Sequence, residues 1–367
     1  MIGWAFTAIL VVAALYQIAG IIACLKQLLV VEAGSREFPG VSVLKPVRGL
    51  DPSFYAAIRS QAAQDYPGPF ELLFGVANAD DPAIAEIKRL QTEFPNVRLI
   101  FSTACAPNTK VAVLCDLDRE ALHPLRVVND SDIRVRPDYL RRVLAPLSDS
   151  RIGLVTCLYR AHAGAFPGRW EALGVATDFA PSTLVAPLVG VNEFGMGSTL
   201  AFRAADLARI GGFPAVADYI ADDYQIGKKI SGLGLRVHLS KTVVDTTLGG
   251  VTWRDVWLHQ VRWARTIRVS RGGGYAGLPV THASLWALVA LCCGWWWSAL
   301  GLLGLRYAMG LIAGLGVLRC GVTARMWPLI PLRDLWGSAV WAVGLIGNQV
   351  VWRDRKLRLV ADGRIGR

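Results

Sequence analysis

Several signatures that would place this 367-residue sequence quickly are missing from it. Its seven cysteines include no CxxC pair; Cys24, Cys292 and Cys293 fall inside apolar runs, with Cys320 at the edge of one. That distribution argues against a zinc site and against a disulfide framework. No G-x-G-x-x-G and no Walker-type loop is present, which disfavours dinucleotide and P-loop ATP binding. Charge is absent from three long stretches: Met1 to Leu25, Gly272 to Leu305 and Leu335 to Trp352. Uncharged apolar runs of that length can span hydrocarbon. Tyr307 to Leu318 is apolar but short, and reads as a tilted span, a re-entrant piece or a buried helix. The first run has no basic residue before it and is long for a signal peptide, so residues 1–30 read as a retained anchor.

What is present is 53% hydrophobic residues and a formal charge of +11. The basic residues crowd beside the apolar runs: Lys26 and Arg36 after the first, and Arg262, Arg265, Arg268 and Arg271 before the second. Arg353, Arg355, Lys356 and Arg358 follow the last, making residues 353–367 a basic tail. Flanking placement points to anionic lipid and the positive-inside rule rather than to nucleic acid. No charge precedes the first span and several cations follow it, so the block after it is expected on the cytoplasmic side. At the distal end Arg319, Arg325 and Arg333 argue for a cytoplasmic loop, and the tail argues for a cytoplasmic tail. Both cannot hold if Leu335 to Trp352 crosses once, so that run or Tyr307 to Leu318 fails to cross.

Between the anchor and the second run the chain reads as soluble α/β protein. Val41 to Leu44, Phe70 to Val76, Val97 to Phe101 and the run ending at Asp130 read as strands, with helices between them. The first of those helices, Asp51 to Gln64, takes Asp51 as N-cap and Pro52 as first residue. Alternation of this kind gives a parallel, doubly wound sheet. Three strands end in polar loops: Lys45 to Arg48, Asp80-Asp81, and Asp130-Ser131-Asp132. Such loops line one crevice at the carboxyl edge of an open sheet. Two carboxylates one residue apart can hold a divalent cation that itself carries phosphates, although an acidic turn is the plainer reading of an isolated Asp-x-Asp.

Further on, Ile152 to Cys157 reads as a strand and Trp170 to Leu188 as a helix near the membrane surface. The glycines of Gly195-Met196-Gly197-Ser198-Thr199 suit either a close approach to substrate or a plain strand bend. Asp222-Asp223 opens a helix, where acids suit the macrodipole, or where one of them serves as a general base. Arg236 to Leu239 and Thr242 to Thr246 read as two strands. Residues 252–271 form a basic, tryptophan-bearing helix expected in the membrane interface, begun by a capping-box pattern at Thr252 and Asp255. Within it stands His259-Gln260-Val261-Arg262-Trp263. Arginine suits phosphate, and tryptophan suits a sugar face or lipid.

Taken together, Asp81, Asp130 in Asn129-Asp130-Ser131-Asp132, Asp223 and the Gln260-Val261-Arg262-Trp263 segment resemble the ordered motifs of processive-type membrane glycosyltransferases, and more closely the ceramide glucosyltransferase family. Lys45-Pro46 and Asn108-Thr109-Lys110 match further blocks of that family, and the likeness covers nearly the whole chain. His259 departs from the family's Gln or Arg; bacterial hopanoid-associated glycosyltransferases resemble the chain there as well. The resemblance implies a GT-A-type nucleotide-sugar-binding domain over 36–250, the interfacial helix, a transmembrane region over 280–352 and the basic tail. It implies an inverting transfer of a hexose, expected to be glucose, from a UDP-sugar to the hydroxyl of a membrane lipid, expected to be ceramide. Bacteriohopanetetrol with N-acetylglucosamine, or processive polysaccharide synthesis, are the alternatives. By the same resemblance Asp223 is the base, Asp130 with Asp132 holds Mg²⁺ or Mn²⁺, and Asp81 meets the uridine. Lys45, Lys110, Asp130, His259, Gln260, Arg262 and Trp263 complete the donor-binding set. The expected location is the bacterial inner membrane with the catalytic domain facing the cytoplasm. A transporter is disfavoured by the large soluble block. A non-catalytic lipid binder has no need of carboxylates at several strand ends.

Overall fold

A computed structural model describes residues 2–32, 34, 37–352 and 355–366; Arg36 and Arg353, counted above among the flanking cations, lie outside them. The chain divides into two compact units. One comprises Val31–Tyr159 and Asn192–Thr247, the other Met1–Val30, Arg160–Val191 and Leu248–Gly366.

The first unit is built on a seven-stranded sheet: β1 Val41–Val47, β2 Phe70–Val76, β3 Val97–Phe101, β4 Leu125–Val128, β5 Ile152–Ala163, β6 Leu200–Arg203 and β7 Arg236–Leu248. Their spatial order is β3-β2-β1-β4-β6-β5-β7. The pairs β1·β2, β1·β4 and β2·β3 are parallel, as the alternation of strands and helices requires. β6 departs from the expected parallel sheet, running antiparallel to both β4 and β5. The helix Phe166–Val189 lies between β5 and β6 in the chain, and a tight turn at Met196–Thr199 leads into β6. Successive residues of β1 serve two cores. Val41, Val43 and Val47 pack with Ile58, Ile87 and Leu90, while Leu44 packs with Val111, Leu114 and Ile226. Helices cover both faces, so the central strands are buried along their whole length.

Three local expectations change. β1 runs on through Val47, so Lys45 lies inside the strand and not in the loop after it. The helix expected from Asp51 begins at Phe54, because Ser53 sits at φ 60° in the left-handed region and cannot start a right-handed turn. Asp51 therefore caps nothing there; its carboxylate accepts the Ser131 hydroxyl instead. The two strands expected over 236–246 are one continuous strand, β7.

The other unit is helical. Trp4–Leu29, Phe166–Val189 and Trp296–Val317 are each long and apolar enough to cross a membrane, and Gly272–Thr281 with Ala283–Cys292 forms a pair bent by 51°. Phe166–Val189 takes in the segment expected at the membrane surface, and Trp296–Val317 takes in all but the last residue of Tyr307 to Leu318. The third uncharged run, read as a span, is not one helix. Ile330–Gly344 ends at a turn with Gly347 at φ 74°, and Gln349–Trp352 is a strand, β8. A helix of 15 residues is about 22 Å long, short of the hydrocarbon thickness. β8 pairs antiparallel with β9 Arg355–Leu359, which pairs with β10 Ile365–Gly366. Most of the supposed tail is thus folded.

The helix Trp253–Ser270 carries the expected capping box. Two of its arginines do different work from the lipid contact expected of them. Arg265 donates to the carbonyls of Ile346 and Gln349, and Arg268 to those of Leu345 and Gly347. They satisfy carbonyls at the end of Ile330–Gly344 and in the turn beyond it, which that helix cannot satisfy itself.

Candidate active site

The site grows from the end of β4. Asn129, fully buried, donates to the Tyr139 hydroxyl at 2.9 Å and the Ser198 carbonyl at 2.7 Å. This anchors the strand end to the turn before β6. One residue on, the Asp130 N–H donates to the Gly197 carbonyl at 3.1 Å, and the Gly197 N–H donates to Asp223 Oδ2 at 2.8 Å. A single glycine therefore joins the Asp-x-Asp strand end to the acid at the head of the helix Asp222–Ser231. The glycine leaves the carboxylate its place: a Cβ at 197 would lie 2.8 Å from Asp130 Oδ2 and would push it aside. A Cβ at Gly195 would lie 2.6 Å from the Asp223 carbonyl. The segment does bend, in the turn at Met196–Thr199, and its glycines lie close to the acids of the protein itself.

A second link is Lys110. Its ammonium donates to Asp130 Oδ1 at 2.8 Å and lies 3.4 Å from Asp222 Oδ2. Asn108 positions it: Oδ1 caps the helix Thr109–Glu120 by accepting from Lys110 N and Val111 N, while Nδ2 donates to the Tyr219 carbonyl. Burial alone would depress the Lys110 ammonium, but the carboxylates of Asp130, Asp222 and Asp223 outweigh it and hold its pKa above the ordinary lysine value. The two acids then separate by environment. Asp222 is buried against Lys110 and Asn108, whereas Asp223 keeps some exposure and accepts two backbone N–H groups, from Gly197 and Tyr224. Burial, reinforced by the charge of Asp222 and opposed by Lys110, pushes the Asp223 carboxyl up to about 6.

Lys45 is fully buried inside β1 and donates to the Asp130 carbonyl at 2.9 Å. Burial brings its pKa down to about 8, against the pull of Asp132, Asp130 and Asp51. Asp132 accepts the Thr246 hydroxyl of β7, and the backbone of Arg134 bridges Asp245 in both directions. Burial and the nearby Asp130 charge raise the Asp132 pKa. Asp81 lies in the loop between β2 and the helix Ala83–Glu93, accepting from Gly49 N through Oδ2 and from Ala83 N through Oδ1, each at 2.9 Å. It clamps the loop after β1 to the start of the next helix. Lys45, Lys110, Asp130, Asp132 and Asp223 thus come together, and Asp81 holds the adjoining loop. Asp222, the other acid of the pair read as offering a base, belongs with them, as do Asp51, Asn108, Gly197 and Thr246, which were not assigned as site residues in the sequence. Asn108 carried a signal in the Asn108-Thr109-Lys110 block and Gly197 in its glycine-bearing segment, whereas Thr246 carried none.

His259, Gln260, Arg262 and Trp263 lie in the other unit. His259 Nδ1 is 2.6 Å from Glu171 Oε1, its ring is 4.6 Å from that of Trp263, and Trp263 lies 5.7 Å from Phe179. Gln260 is buried and accepts the Trp336 indole N–H at 2.7 Å.

The residues present fit a divalent cation. Among the described residues no group of three or more His, Cys, Asp or Glu side chains could hold one unaided. Two carboxylates plus substrate phosphates are a usual magnesium set, and Asp130 keeps its side chain 45% exposed at the strand end. Burial first, and then the Asp130 charge, raise Asp132; a cation there would relieve the repulsion between the two.

The sequence pattern of glycosyl transferase family 21 matches residues 5–365. The chain belongs to that family. It is similar to ceramide glucosyltransferase 1 of Caenorhabditis elegans, 31% identical over 233 residues, which are 62% of this chain and 49% of that one. Ceramide glucosyltransferase 3 of the same animal is 30% identical over 219 residues, 55% of this chain and 45% of that protein. The chain spans about half the length of these curated relatives. Among solved structures it is similar to the mannosyltransferase PcManGT from Pyrobaculum calidifontis, in complex with GDP-Man and Mn²⁺. The TM-score is 0.57 at 19% identity, covering 93% of this chain and 97% of that one. The fold is GT-A, with apolar helices before and after the catalytic unit, and the family makes the chain a glycosyltransferase.

Proposed function

We propose that this family member moves a hexose from a UDP-sugar to the hydroxyl of a membrane lipid, with ceramide as acceptor and glucose as sugar, inverting the anomeric carbon. The observation that carries the reading is Asp223: a carboxylate held by two N–H groups, with a pKa near 6, tied through Gly197 to the Asp130 strand end. It is set to take the proton of an attacking lipid hydroxyl near neutral pH. The lipid oxygen bonds to the anomeric carbon on the face opposite the donor. The bond from that carbon to the diphosphate oxygen breaks, and its electron pair leaves with the nucleoside diphosphate. One base suffices for this balance, because the leaving group needs no proton and no covalent intermediate forms.

Asp130 and Asp132 would hold a Mg²⁺ or Mn²⁺ ion, which offsets the charge of the leaving diphosphate when bound. Lys110 holds Asp130 in place and adds positive charge beside the acids. Asp81 is assigned to the uridine, and Arg262 to the diphosphate. Since UDP-sugars are made in the cytoplasm, the catalytic unit faces it, and the inner membrane of a bacterium is the proposed setting. The ceramide glucosyltransferases at 30–31% identity favour ceramide, while His259 in place of the family's Gln or Arg favours a hopanoid polyol as second candidate. Radiolabelled UDP-glucose and UDP-N-acetylglucosamine, each offered with ceramide and with bacteriohopanetetrol, test the proposal directly. Glucosylated ceramide with inverted configuration is expected. Label in neither lipid overturns the reading.

A further inference from the structure

Two arginines are buried in the helical unit, and their surroundings differ. Arg306, 1% exposed, makes a two-pronged pair with Asp334, from Nε at 2.9 Å and Nη2 at 2.7 Å, and donates from Nη1 to the Thr177 carbonyl at 2.9 Å. Arg333, 7% exposed, has no hydrogen-bond partner for Nε or Nη1 among the described residues. Its guanidinium sits 6.0 Å from the ring of Trp170, whose indole N–H is equally buried and equally unpartnered. The nearby Trp336 indole shows the contrast, since it donates to Gln260. Three buried donors on two adjoining side chains, left without an acceptor, are costly in apolar surroundings.

The backbone is shaped around them. Gly174 leaves room for the guanidinium, as a Cβ there would lie 2.6 Å from Arg333 Cζ. The helix then widens into a π turn over Val175–Phe179, a distortion that collects at functional sites. Trp170 packs against Trp253 and Trp336 at 5.9 Å each, and Trp253 is 44% exposed, so the aromatic cluster reaches the surface. The carboxylates of Asp178 and Glu171 face the same guanidinium. An anion placed beside them would meet their repulsion, so a neutral oxygen suits these donors better.

We propose that Arg333 and Trp170 bind the oxygen-bearing head of the lipid acceptor. Their N–H groups donate to hydroxyl or amide carbonyl oxygens, and the indoles of Trp170, Trp253 and Trp336 flank the adjoining apolar chain. This rests on the lipid-acceptor reading above and adds the side chains that select it.

The test uses the full-length protein in nanodiscs, with Arg333→Gln and Trp170→Phe, the latter keeping a ring and losing only the N–H. Steady-state kinetics are measured separately for lipid and for donor, alongside labelling by a photoactivatable, clickable ceramide. Each variant is expected to raise the lipid KM by about tenfold or more, the usual size for hydrogen bonds to a charged or buried donor. Donor KM should stay unchanged, and ceramide labelling should fall in proportion. Should Arg333→Gln fail to fold, Trp170→Phe carries the test alone. Unchanged lipid KM and unchanged labelling overturn the proposal and leave bound water as the partner of these groups. If wild type glycosylates neither ceramide nor bacteriohopanetetrol, the function proposed above fails. Labelling that still depends on Arg333 and Trp170 would then uphold the lipid site alone, and labelling independent of them would sink that too.

Discussion

Lys45 and Arg333 are both buried cations, one in each unit, and they solve burial differently. Lys45 stands inside a strand, donates to the Asp130 carbonyl and has three carboxylates around it. The protein supplies its acceptor and its counter-charges, and the result is a fixed strand end. Arg333 has neighbouring carboxylates but two donors with no acceptor. In the sheet unit, buried charge organises a site from within; in the helical unit, one buried charge keeps donors unpartnered among the described residues, a gap that we propose a lipid fills. Under the proposed function the difference follows from what each unit would handle. A charged donor requires fixed charges held close together, while a neutral lipid requires donors free to bind it.

The largest effect should come from removing metal. EDTA is expected to take transfer to background and Mg²⁺ or Mn²⁺ to restore it, with Asp130→Ala inactive and not rescued at ordinary metal concentrations. Full turnover in chelator would make the carboxylate cluster around Lys45 purely structural and break the first half of the comparison. Next is Asp223→Asn, where an amide of the same shape cannot accept the proton. A loss of about 10²–10⁴ in kcat is expected with donor affinity kept, as read by equilibrium binding of UDP-sugar. Near wild-type kcat would move the base to Asp222.

Arg306→Met sharpens the other half. It strands Asp334 in an apolar setting, and breaking a buried pair this way costs about 3–5 kcal/mol. Thermal inactivation in nanodiscs should be markedly faster than for wild type. An unchanged rate would mean that the helical unit tolerates unpaired charge generally, and Arg333 would lose its significance. The mildest effect is with pH. A base with pKa about 6 is active when deprotonated, so kcat/KM should be flat above about pH 7 and fall about tenfold per unit below 6. Stability runs the other way. Because burial raises this carboxyl from its ordinary 3.8, its contribution to folding is fully present below that value and is lost as pH rises through about 6. An acid limb that survives unchanged in Asp223→Asn would detach the profile from this residue.

Much of the catalytic unit was legible in the chain. An apolar strand that stops at Asp130, a polar loop after β2 and paired acids before a helix are local patterns, and sheet topology gathers local patterns at strand ends. What was missed there depended on contacts distant in sequence. Thr246 meets Asp132 and Ser131 meets Asp51 across more than 75 residues, and Gly197 matters for the carboxylates on either side of it. Asp51 looked like a helix cap because cap residues are recognised by type; the left-handed Ser53 that displaced the helix start has no such mark.

The helical unit was harder to read for a physical reason. Hydropathy records how apolar a run is and not whether it continues as one helix, so Leu335 to Trp352 looked like a span until Gly347 turned it into β8. Charge counting treats every arginine as solvated, so Arg265 and Arg268 looked like lipid anchors when their donors serve carbonyls near a helix end. Arg333 looked like a loop charge when it is buried. The sequence by itself determined the alternation, the strand ends and the apolar content, because these rest on residue type and short spacing. Only the tertiary structure decided which charges are neutralised, by which partners, and which are left open, because pairing depends on distance in space and burial removes the water that would otherwise answer for it.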